Sequence, residues 1–143
     1  MGFSVTARAQ YTPRSGSTGQ FIAVRVVPGV TNSVGAAQGL VVQEAKSNVR
    51  VDTGELRDSI HAETPENTGK TVVGNVVASA GHAAFNEFGT GRAGAQGPNR
   101  GNVPYSESWP GWEGHAFIRP ALDTTREAVN GVFRSEIALS LGK

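Results

Sequence analysis

An α+β fold is predicted from three features of the chain: an alternating apolar run at its start, a change to helical spacing near residue 31, and a second helical stripe that closes it. The expected architecture is a small antiparallel sheet covered on one face by two helices, at about 31–48 and 120–141, with a long loop arm before the second helix. With 143 residues, no internal repeat and no linker between two apolar regions, the chain is expected to form a single domain over 1–143.

Phe3, Val5, Ala7 and Ala9 alternate with Ser4, Thr6, Arg8 and Gln10, the period of a half-buried strand. Residues 12–19 are a Pro/Gly/Ser/Thr cluster and read as a flexible loop. Phe21 to Val27 favours a strand that Pro28-Gly29 would stop, so a hairpin is expected over the first thirty residues. From Thr31 the period changes: Val34, Ala37, Val41 and Ala45 recur three or four apart, and Thr31, Asn32 and Ser33 each offer an N-cap oxygen. Gly35 and Gly39 each weaken a helix by roughly 1 kcal/mol relative to Ala, which predicts close packing of another backbone on that face.

After this helix, Thr53 is expected to cap a short turn, Gly54 to turn the chain and Asp52 to accept backbone hydrogen bonds, with Leu56 and Ile60 on one face. A meander follows, with strands at 59–63 and 71–79 and hairpin chemistry at Asn67-Thr68-Gly69. Residues 82–88 read as a short helical turn, with Ala84 and Phe88 four apart. Residues 89–115 form an extended Gly/Pro arm that carries Tyr105, Trp109 and Trp112, the aromatic types that anchor interfaces. The last helix is expected to open at Pro120, with Asp123 and Glu127 near its positive end, and to bury Leu122, Val129, Val132, Phe133, Ile137 and Leu141 before Gly142 stops it.

Composition narrows the function. A net charge of +1, from 13 basic and 12 acidic residues, does not supply the basic stripe of a sequence-independent nucleic-acid binder. The chain holds no cysteine, so disulfides, thiol nucleophiles and thiolate metal sites are excluded. No apolar run approaches the ~18 residues of a membrane span, and the first residues lack the pattern of a secretion signal, which predicts a protein made and used in the cytoplasm.

Motifs for catalysis are sparse. His61, His82 and His115 lack the spacing of a helical metal site and have no carboxylate cluster beside them. Gly69-Lys70-Thr71 resembles the end of a phosphate-binding loop, but Thr64 stands where that loop needs glycine. Asp52-Thr53-Gly54 has the form of an aspartic-protease triplet, and a homodimer using Asp52 twice is the enzyme alternative. Its place after a helix, continuing Glu-Leu-Arg, suits a structural corner better. Arg92 and Arg100 in the arm fit a DNA channel or a neighbouring subunit, and two arginines are fewer than tight phosphate binding needs. No catalytic, cofactor-binding or metal residue is assigned.

Three phrases, in order, carry a family resemblance: Val51-Asp52-Thr53-Gly54-Glu55-Leu56-Arg57-Asp58-Ser59-Ile60, then Ala83-Ala84-Phe85-Asn86-Glu87-Phe88-Gly89-Thr90-Gly91, then Ala116-Phe117-Ile118-Arg119-Pro120-Ala121-Leu122. Over residues 31–142 the chain resembles the neck, or tail-completion, proteins of long-tailed lambdoid-type bacteriophages. Arg50, the Ala84-Phe85 pair and Ala116 depart from that family's usual proline, tyrosine-containing pair and proline. The resemblance implies a structural virion protein without cofactor: a ring subunit, expected as a hexamer, that joins head connector and adaptor proteins to the tail terminator or tail tube and leaves a passage for DNA. It implies location in the virion neck after assembly in the bacterial cytoplasm. A tail terminator or minor tail protein is the alternative within the same class. Asp52, Thr53, Gly54, Glu87, Phe88, Gly89, Phe117, Arg119 and Pro120 are then scaffold residues, while Tyr105, Trp109, Trp112, Arg92 and Arg100 are the candidate subunit interface.

Overall fold

The computed structural model describes residues 3–10, 26–68, 71–90 and 110–142, the first of these segments by its backbone. Its centre is an eight-residue strand, Thr71–Ala78, which pairs on both edges. Along one edge runs β1 (Phe3–Gln10), antiparallel over its whole length. Along the other lie β2 (Ile60–Ala62) and β3 (Glu66–Asn67), both antiparallel to the central strand, β4. Between β2 and β3, residues 63–65 face only Gly74 and Asn75, so this edge carries one extra residue and bulges.

β4 alternates strictly: Val72, Gly74, Val76 and Ala78 are buried, and the residues between them are half-buried. In register, Phe3, Val5, Ala7 and Ala9 stand opposite Ala78, Val76, Gly74 and Val72. The 22-residue helix α1 (Val27–Asn48) covers this face and in turn packs along the 23-residue helix α4 (Ile118–Ser140). Two short helices, α2 (Glu55–Asp58) and α3 (Ala83–Phe88), complete the set. The predicted α+β sheet with helices on one face is therefore observed.

The core has two parts. The larger joins Val41, Ala45 and Val49 of α1 and its exit to Leu56, Ile60, Val76, Ala78, Ala80, Ala83, Phe117, Ile118 and Ala121. The smaller joins Val30, Val34 and Val72, with Val26, Phe133 and Ile137 against it. Between them sits Gln38, buried, whose Nε2 donates to the Glu63 carbonyl at 2.9 Å and the Asn75 carbonyl at 2.7 Å. This bond ties α1 to the bulged edge of the sheet. It depends on Gly74, where a Cβ would overlap Val34 Cγ1 and lie 2.7 Å from Gln38 Cδ.

Several local expectations change. Val26 and Val27 do not end a strand: α1 begins at Val27, with Pro28 in its first turn, where the missing amide costs nothing. Residues 21–25 lie outside the described residues. Burial of Val26 and Val30 against Val72, Phe133 and Ile137 outweighs their strand preference. Thr31 and Ser33 consequently lie inside the helix and donate back to the Val27 and Gly29 carbonyls rather than capping it. Gly35 and Gly39 do not mark close packing, since an added Cβ would meet only Pro65 at 4.0 Å at the first and nothing within 4 Å at the second. The tight helix contact is instead at Gly29, against Ser140.

Candidate functional site

The three phrases of the sequence meet at one end of the domain, around the base of the arm. Leu56 and Ile60 from the first, Ala83 from the second, and Phe117, Ile118 and Ala121 from the third share the larger core. Leu56 and Ile60 point the same way because they are four apart across α2 and its exit, as their spacing predicts.

The first phrase forms a corner. Gly54 is buried with φ of +88°, a left-handed conformation that glycine adopts without strain, and it is the N-cap position of α2. Thr53 Oγ1 accepts the Glu55 amide at 3.4 Å, a long contact, so the capping expected of Thr53 is weak. Asp52 is exposed and accepts no hydrogen bond from the described residues, contrary to the expected backbone capping. Beside it, Arg57 donates to Asp58 at 2.9 Å, and this hydrogen bond and charge hold the Asp58 carboxyl below its ordinary range.

The second and third phrases are joined by one side chain. Glu87, on α3, is buried, and its carboxylate accepts three backbone amides at the start of α4: Phe117 at 2.7 Å, Ile118 at 3.0 Å and Arg119 at 3.1 Å. A helix leaves four amides without internal partners at its start. Here Glu87 takes three, and the next position is Pro120, which has no amide to satisfy. The carboxylate also opposes the positive end of the helix dipole. α4 thus opens at Ile118, two residues earlier than Pro120, and Asp123 and Glu127 fall beyond its first turn. The Arg119 guanidinium lies 5.8 Å from the centroid of the Phe88 ring, a second link between the phrases.

Around this latch the two ends of the arm are pinned together. Gly89, with φ of +75°, turns the chain out of α3. Thr90 and Trp112 then exchange backbone bonds, Thr90 N to Trp112 O at 2.8 Å and Trp112 N to Thr90 O at 3.1 Å. The His115 amide donates to the Asn86 carbonyl. Gly114 presses on the backbone of α3, where a Cβ would lie 2.7 Å from the Phe88 carbonyl carbon. Trp112, expected in the irregular part of the arm, is therefore paired at its base while its side chain remains half exposed. Tyr105, Trp109, Arg92 and Arg100, with the loop at 12–19, lie outside the described residues.

Trp112 borders a cleft of about 440 Å³ lined also by Arg50, Asp52, Thr53, Glu55, His82 and Asn86. Among the described residues no three His, Asp or Glu side chains converge as metal ligands would. Among them, too, no helix is long and apolar enough to cross a membrane.

The Glu87 latch is not among the expectations drawn from sequence, where Glu87 stands only as a scaffold residue in a short helical turn. One signal pointed to it: Ala116 and Phe117 cannot cap α4, so its amides required an acceptor from elsewhere.

No curated protein and no solved structure matches the chain. A family model described as "Bacteriophage HK97-gp10, putative tail-component" matches residues 32–89, less than half of the chain. The likeness therefore runs from α1 through the corner, the sheet edge and Glu87 to Gly89, and makes this part of the chain similar to a phage tail component.

Proposed function

We propose that this chain is a structural virion protein of a phage neck, a ring subunit that completes the tail end and joins it to the head connector. The observation that carries this reading is the match of residues 32–89 to the tail-component family, a span that ends on the latch and the first residue of the arm. Its subunits assemble as a homo-oligomeric ring, a hexamer by the symmetry of a tail tube, with DNA passing through without sequence-specific contact. Adaptor proteins on the head side and terminator or tube proteins on the tail side are its partners. The protein acts by assembly rather than by catalysis, and the near-neutral charge of +1 suits a passage that does not grip DNA.

Light scattering during size-exclusion chromatography, with negative-stain imaging of the same fractions, tests this reading. A closed ring in the purified protein, or on mixing with tail tubes, is expected. A monomer that neither closes nor caps tail tubes at any concentration overturns it. Replacing residues 92–110 by a short Gly/Ser linker leaves the Thr90–Trp112 base in place. The expected result is a folded subunit with impaired assembly, and unimpaired assembly removes the arm from the interface.

A further inference from the structure

The latch and the arm base are built on the same two stretches of chain, 83–90 and 112–119, which meet along their length. Thr90 pairs with Trp112, and Gly114 lies against the Phe88–Gly89 backbone. The His115 amide bonds to Asn86, Glu87 takes the 117–119 amides, and Arg119 sits over Phe88. Base and latch therefore both depend on α3, a helix of six residues. Isolated helices shorter than about 12 residues are marginal in water, so α3 persists because these neighbours hold it.

Little slack separates the two ends of this contact. Thr90 is three residues beyond Glu87, and Trp112 is five residues before Phe117. Between Trp112 and Ala116, every hydrogen bond to another described residue goes to Asn86 or Thr90. A shift of Trp112 by one residue, about 3.5 Å, draws Gly114 off α3 and breaks the His115 bond, which removes what aims Glu87. The Glu87 carboxylate is buried, so tilting it away from its three amides leaves a charge unpaired in a dry site. A half-open state is thus disfavoured, and the contact is made or broken whole. At its far end α4 is anchored separately, with Phe133 and Ile137 on the smaller core and Ser140 against Gly29. Leu141, expected to complete the buried stripe, is exposed there. Opening at the near end leaves those anchors in place.

We propose that the arm base and the Glu87 latch open and close as one unit, a strap through which the state of the arm sets the state of the first turn of α4. A partner that holds the base shut tightens Phe117 to Arg119, and one that spreads it releases them. By linkage the latch biases the base to the same extent. The strap belongs to the single subunit and goes beyond the ring reading, on which it does not rest.

The lack of cysteine gives a reversible test in the full chain. Thr90→Cys and Trp112→Cys are combined. Residues that exchange both backbone bonds, as these two do, stand about 5.5 Å apart, within disulfide reach. Hydrogen exchange is read on this one protein, oxidised and reduced. The Phe117, Ile118 and Arg119 amides are expected to exchange about tenfold more slowly with the disulfide closed, a larger change than in the β4 amides that report global unfolding. Equal changes in the two sets, or none at 117–119, overturn the proposal. Gly114→Ala acts in the opposite direction, since its Cβ would lie 2.7 Å from the Phe88 carbonyl carbon. About tenfold faster exchange is expected both at 117–119 and at the Thr90 and Trp112 amides. A change confined to one of these two sets shows independent contacts and overturns the strap. Glu87→Gln supplies the reciprocal: faster exchange at Trp112 is expected, and an unchanged rate there counts against the coupling. If Gly114→Ala does not fold, the disulfide pair decides, because it leaves Gly114 and Glu87 in place.

Discussion

Replacing Glu87 tests the latch most directly. Its carboxylate accepts the Phe117, Ile118 and Arg119 amides, and Phe117 and Ile118 are themselves only 1% and 0% exposed. Water cannot replace the acceptor there without opening the core. A hydrogen bond to a charged group contributes about 1.5–3 kcal/mol, and three bonds to one carboxylate add less than fully because they share one charge and one desolvation. Glu87→Ala is therefore expected to cost about 3–5 kcal/mol. That is a large share of the 5–15 kcal/mol typical of a domain, but compatible with folding. Glu87→Gln keeps shape and one acceptor oxygen. If that oxygen serves Phe117 and Ile118, the amide nitrogen is turned donor-to-donor on Arg119, and the cost falls to about 1.5–3 kcal/mol.

Urea unfolding at one fixed protein concentration measures both values, since association would shift apparent stability. Hydrogen exchange places them: the 117–119 amides lose protection in Glu87→Ala while those of β4 follow global stability. A Glu87→Ala protein within 0.5 kcal/mol of wild type by roughly the error of such measurements, with 117–119 still protected, would refute the latch.

Two glycines of the same helix–sheet layer are expected to respond in opposite directions. Gly74→Ala drives a methyl into Val34 and Gln38 and should cost about 1–3 kcal/mol. Gly39→Ala, which meets nothing within 4 Å, should stabilise α1 by about 0.5–1 kcal/mol. Chemical denaturation of the two variants decides it, and equal signs would contradict the packing described. For Asp58, whose folded carboxyl is held below its ordinary value by Arg57, the stabilisation is present above the unfolded value and is lost as pH falls through the folded one. Asp58→Asn should flatten that acid-side slope of the melting temperature and leave its value at pH 7 nearly unchanged, because the pair is exposed.

What could be read from the sequence was what repeats within one element. The stripe of α1 from Val34 to Ala45 and that of the last helix show their period directly, because each turns one face inward along its own length. The start of α1 was hidden because Val26 and Val27 look like strand residues, and only their neighbours across the core, Phe133 and Ile137, decide otherwise. Close approach was legible as glycine but assigned to the wrong positions: the crowding is at Gly74 in the sheet, where Gln38 crosses, rather than on the open side of α1 at Gly39. The latch was least legible of all. Its donors are backbone amides, which leave no mark in side-chain patterning, and its acceptor lies about thirty residues away.

The Thr90–Trp112 pairing has one more consequence, for the length of the arm itself. Because the core holds both ends together, lengthening the chain between them acts on stability through the entropy of closing a loop. That entropy grows with the logarithm of length, so doubling the segment costs only about 0.6 kcal/mol. The base therefore uncouples the size of the arm from the survival of the fold. Insertions between Thr90 and Trp112 could accumulate, or be engineered, at almost no thermodynamic penalty, leaving this stretch free to be retailored to a new neighbour while the domain beneath it stays as it is.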